Sequence, residues 1–80
     1  MQIKCLPVES SNISEIGYRR SMGTGVSVLR VKFRRDGKVY DYTGVSSEEA
    51  LDLLFADSHG SHLRTYIIPN YLGVVVEGAS

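Results

Sequence analysis

The chain has 80 residues, with nine Lys and Arg, nine Asp and Glu, two His and a formal net charge of zero, the size of a single small domain spanning residues 1–80. A hydrophobic content of 42% with 22% charged residues lies near the globular average and excludes a disordered chain or a disulfide scaffold. No run approaches the ~20 apolar residues that cross a bilayer. Met1 to Pro7 also lacks the apolar stretch and cleavage site of a secretory signal, so a cytoplasmic location is expected.

In chain order, Ile13–Arg20 reads as a strand with Ile16 and Tyr18 on one face, and Met22-Gly23-Thr24-Gly25 as a loop. Val26 to Arg35 alternates cleanly. Leu29, Val31 and Phe33 share one face, and Arg30, Lys32 and Arg34 share the other. Asp36-Gly37 is expected to form a two-residue turn, returning the chain as the strand Lys38–Thr43. That turn sets Arg35 opposite Lys38, Phe33 opposite Tyr40, Lys32 opposite Asp41 and Val31 opposite Tyr42. The face with Tyr40 and Tyr42 is then buried, and the face with Arg30, Lys32 and Arg34 is basic.

Ser46-Ser47-Glu48-Glu49 is a capping-box pattern that starts a helix. Leu51, Leu54 and Phe55 form its predicted apolar stripe, widened toward the sheet by Ala50 and Leu53. The helix is expected to end near Asp57–Gly60, with a second short helix in Gly60–Ile67 and a turn at Pro69-Asn70. The apolar run Leu72–Val76 predicts a strand in an interior or covered position. These elements define an α+β domain: a small antiparallel sheet of three to five strands with one or two helices on one face. So short a chain builds a thin core, which homo-oligomerisation would relieve.

The segments Pro7–Ile13, Ile16-Gly17-Tyr18, Tyr40-Asp41-Tyr42 and Ser58-His59-Gly60-Ser61, followed by Ile67 and Tyr71, together resemble the KTSC domain. That module is named for the C-terminus of lysyl-tRNA synthetase and also occurs free-standing in bacteria and their phages. The resemblance runs from residue 7 to residue 71. It implies an RNA-binding role and brings no catalytic residues with it. His62-Leu63 stands where the family commonly shows an aromatic pair, and Ile68-Pro69 where it has basic or Gly positions.

Among the residues themselves, the basic strand face is the sharpest candidate, because Lys and Arg contacts to phosphate dominate nucleic-acid affinity. Arg30, Lys32 and Arg34, assisted by Arg19, Arg20 and Lys38, are the expected nucleic-acid-binding residues, against the alternative of a solvated outer sheet face. Tyr40 and Tyr42 invite base stacking, but their register assigns them to the core. Asp57, His59 and His62 lack the spacing and further ligand of a metal site, so a helix-ending turn explains them. Met22–Gly25 lacks the Lys-Ser/Thr of a phosphate-binding loop. Cys5 with a His, or Ser61 with His62, makes no diagnostic nucleophile and base. No cofactor, metal or catalytic residue is therefore expected.

The neutral total conceals an asymmetry. Residues 1–40 carry eight Lys and Arg against three Asp and Glu, whereas residues 41–80 carry one against six. A non-enzymatic module that binds RNA or another polyanion is the leading expectation. The alternative is a phage- or mobile-element-type inhibitor that binds a host protein or sequesters a nucleotide signal as a homo-oligomer, which the same charge polarity suits.

Overall fold

Period-2 alternation in the central strand decides which side of the sheet is covered. The computed structural model describes residues 5–20, 23 and 25–76; Met22 and Thr24 of the expected loop lie outside the described residues. The strands are β1 (Cys5–Pro7), β2 (Ile13–Arg20), β3 (Ser27–Phe33), β4 (Val39–Thr43) and β5 (Gly73–Val75). Between β4 and β5 come helix α1 (Ser47–Leu54), helix α2 (His59–His62) and a π-helical turn at Leu63–Ile67. The strands lie in the order β1-β2-β3-β4-β5, every neighbouring pair antiparallel. The fold is the α+β architecture read from the sequence.

Ile16, Leu29, Val31 and Tyr42 from one sheet face meet Ala50 and Leu53 of α1 and Leu63 and Ile67 of the π-helical turn in one core. Leu29, Val31, Leu53 and Ile67 are fully excluded from solvent. The helical segments therefore all cover the same face.

The β3–β4 register differs from the expected one by two residues. Arg30 lies opposite Asp41, Leu29 opposite Tyr42 and Val31 opposite Tyr40. A two-residue loop would need positive φ at both Asp36 and Gly37. Only Gly37 adopts it, at 73°. The loop lengthens instead to Arg34–Gly37: Phe33 N–H donates to Lys38 O at 2.9 Å and Gly37 N–H donates to Phe33 O at 3.0 Å. Asp36 Oδ1 accepts from Lys38 N–H at 3.0 Å. Because the slip is even, each side chain keeps its predicted face.

Two other expectations are corrected. In α1 the buried residues are Ala50 and Leu53, whereas Leu51 is 52% and Phe55 79% exposed. The helix is rotated by its entry, with Val45 buried and Ser46 Oγ accepting from Glu49 N–H at 3.2 Å. The strand expected in a covered position is β5, which lies at a sheet edge with Val74 56% and Val75 45% exposed.

Gly73 sits opposite Tyr42, and a Cβ there would lie 2.6 Å from the Tyr42 ring. Tyr42 is 4% exposed and its ring cannot swing away. Gly73→Ala is expected to lower stability by about 1–3 kcal/mol through overpacking. Chemical denaturation reads this directly, and an unchanged midpoint contradicts the packing.

Candidate functional site

The outer sheet face is built by the even positions of β3 and their lateral neighbours. Arg30 Nε donates to Asp41 Oδ1 at 2.8 Å and Nη2 to Oδ2 at 2.9 Å, a two-pronged pair that fixes both groups. The bond to Asp41 raises the Arg30 pKa, against the opposing effect of burial. Lys32 Nζ lies 3.8 Å from Glu15 Oε2, its register partner on β2. Arg34 Nε donates to Ser10 O at 3.0 Å. Cys5 lies opposite Gly17. Burial, reinforced by Glu15, pushes its thiol pKa up, which keeps it protonated and a weak nucleophile.

The six sequence-predicted cations therefore do not form one open row. Arg30 and Lys32 are each matched by an acid, and Arg19 is half-buried and engaged. Arg20 is exposed beside Ser27, about 20 Å from the other end of β3 at 3.3 Å per residue. Arg34 and Lys38 are exposed at that other end, together with Arg35.

The hairpin end also holds a groove of about 540 Å³ on the covered side. Phe33, Tyr40 and Tyr42 contribute its sheet wall. Gly73 of β5 lies beside Tyr42 on that wall, Ile68, Tyr71 and Leu72 line the groove from the segment between the π-helical turn and β5, and Asn12, Arg35, Asp36 and Arg64 add polar groups. Phe33 and Tyr40 are diagonal neighbours on one face, packed edge-on at 5.4 Å and 87°. Tyr40 and Tyr42 lie 6.4 Å apart at 21°. Tyr42 is core, as its register predicts. Tyr40 is half-buried and lines the groove.

Burial raises the Tyr42 hydroxyl pKa, with Tyr40 adding to it. Tyr71 donates its hydroxyl to Glu49 Oε1, and that bond is the main cause of its raised pKa. Glu49 Oε1 also accepts from Ser46 Oγ at 3.2 Å. One carboxylate thus ties the start of α1 to the segment entering β5.

The motif residues around Ser10 and Ser58 are scaffold. Ser10 Oγ accepts from Asn12 N–H at 3.2 Å and Ile13 N–H at 3.3 Å. Ser58 Oγ caps α2 by accepting from Ser61 N–H at 3.3 Å. Asn12 packs on Gly60, where a Cβ would meet its side chain at 2.7 Å. His59 Nε2 contacts Leu54 O at 3.1 Å, and His62 packs on Tyr66 with centroids 4.6 Å apart. Among the described residues no three His, Cys, Asp or Glu are grouped to hold a metal. Ser58 and His59 open α2; they do not merely end α1.

Arg64, absent from the sequence-predicted set, reaches the groove from the π-helical turn. A signal for it was present: it is the one Lys or Arg in residues 41–80.

A five-strand meander whose helical segments close one face around a lateral groove defines a small α+β domain. The chain belongs to the KTSC domain family, whose model matches residues 9–71. It is similar to the crystal structure of a KTSC domain protein from Yersinia pestis, with 27% identity and a TM-score of 0.77 over 94% of this chain and 99% of that one. The comparison with curated proteins found no match. Among the described residues no helix is long and apolar enough to cross a membrane.

Arg30 and Asp41 are each 23% exposed at the side chain, so water screens part of their attraction. A double-mutant cycle of Arg30→Ala and Asp41→Ala is expected to return a coupling of about 0.5–1 kcal/mol that shrinks as salt rises. Zero coupling at low salt contradicts the pairing.

Proposed function

We propose that the protein is a non-enzymatic binding module for RNA or a similar polyanion, acting in the cytoplasm through the hairpin end of the sheet. The observation that carries this is the grouping of exposed cations there: Arg35 and Arg64 line one groove, and Arg34 and Lys38 flank the same turn. Arg35, Lys38 and Arg64 make no ion pair among the described residues, unlike Arg30 and Lys32. Phosphate contacts are therefore assigned to this end, with the mid-sheet cations kept as cross-strand ties. Guanidinium groups suit the task, since their planar fork matches phosphate oxygens.

A second surface favours a protein partner or a second copy. Leu72 is 82% exposed beside Val74 and Val75 on the β5 edge, and an apolar sheet edge is a template for strand addition. Sedimentation equilibrium tests the homo-oligomeric form: mass above 8.8 kDa that Leu72→Glu/Val74→Glu reduces to monomer supports it, and a monomer at every concentration excludes it.

Fluorescence anisotropy with a labelled single-stranded RNA across a salt series tests the leading proposal. Affinity is expected to fall steeply with salt, and Arg35→Glu/Arg64→Glu to flatten the log–log slope by about one to two units. Arg20→Glu, at the far end, is expected to leave the slope unchanged. No binding at low salt, or an unaltered slope in the double variant, rejects the proposal.

A further inference from the structure

The groove at the hairpin end joins two chemistries that one nucleotide also joins. Tyr40 presents a half-buried ring whose hydroxyl has no hydrogen-bond partner among the described residues. Two of the other four tyrosines are tethered: Tyr18 donates to Val45 O at 2.8 Å and Tyr71 to Glu49. Two guanidinium groups, Arg35 and Arg64, stand at the same groove against a single carboxylate, Asp36. Its volume of about 540 Å³ falls within the roughly 300–1,000 Å³ of small-molecule sites, large enough for a base with its sugar.

Arg64 arrives there by an unusual route. It lies in the π-helical turn, where Ile68 N–H donates to Leu63 O at 2.9 Å. Such turns are rare and recur at functional sites. This one keeps Leu63 and Ile67 in the core while Arg64 stays exposed at the groove. The one Lys or Arg of residues 41–80 is thereby brought to the same groove as Arg35 of the basic half.

We propose that this groove holds one unpaired nucleotide of an RNA strand, the base against the Tyr40 ring and the phosphate at Arg35 and Arg64. The proposal rests on the polyanion function above and adds to it a base-stacking subsite. A duplex is disfavoured, because its bases are already stacked and paired, whereas a single strand offers a free π-face. The two guanidinium groups outnumber the single Asp36 carboxylate at the groove, which favours a phosphate there.

Competition against a labelled RNA decamer separates the parts. Three unlabelled competitors are compared: the same decamer, an abasic decamer with the same phosphates, and free AMP. The base-containing strand is expected to bind at least about fivefold tighter than the abasic one, the effect of one stacked base. Tyr40→Leu is expected to erase that difference and Tyr40→Phe to keep it, with Arg35→Glu weakening both strands. Equal affinity for the two decamers overturns the stacking subsite and leaves polyanion binding standing. Displacement by AMP as effective as by the decamer keeps the subsite and overturns the RNA assignment. Should Tyr40→Leu fail to fold, the three competitors on the unmodified protein still decide the matter.

Discussion

The register that sets Arg30 directly across from Asp41 governs the character of both sheet faces. On the outer face it ties Arg30 to Asp41, as the β2–β3 register ties Lys32 to Glu15, so a row of strand cations becomes cross-strand pairs. On the covered face the same register sets Leu29 against Tyr42 and Val31 against Tyr40, which places the Tyr-x-Tyr pair between core and groove. A slip of one residue would expose Tyr40 and Tyr42 and bury Asp41. The free positive charge is then concentrated where the strands end, at the Arg34–Gly37 turn and on Arg64.

A second tie holds the other wall of the groove. Glu49 accepts from both Ser46 and Tyr71, so the carboxylate that braces the Ser46 cap of α1 also anchors the segment leading to β5. Tyr71 in turn lines the same groove as Tyr40 and Tyr42, and Gly73, two residues on, packs beside Tyr42 in the sheet. The raised pKa of Tyr71 means this tie is intact below the ordinary tyrosine range and is lost as pH rises through the elevated value. Helix cap, C-terminal segment and aromatic wall are thus mechanically connected.

Much of this was legible in the sequence because strand faces depend on parity alone. Alternation through Leu29, Val31 and Phe33 identified the buried face, and Ser46 with Glu49 identified the helix start. Parity also explains why an incorrect turn at Asp36-Gly37 left the faces right while misassigning each partner: Asp41 belongs to Arg30, not to Lys32. The rotation of α1 was illegible, since Leu51 and Phe55 outweigh Ala50 in hydrophobicity but the buried Val45 decides which side turns inward. Edge position was equally hidden: Leu72 to Val76 has the composition of an interior strand and pairs on one side only with β4. The groove draws Arg64 from the π-helical turn and Arg35 from the hairpin turn, a combination that no local pattern encodes.

The most direct measurement of the central claim is a titration of isotope-labelled protein with unlabelled single-stranded RNA, followed by backbone amide chemical shifts. The largest changes are predicted at Arg35, Tyr40, Arg64 and Tyr71, with the amides of Arg30 and Lys32 nearly still. Changes centred on Arg30 and Lys32, or none at any residue, contradict the account.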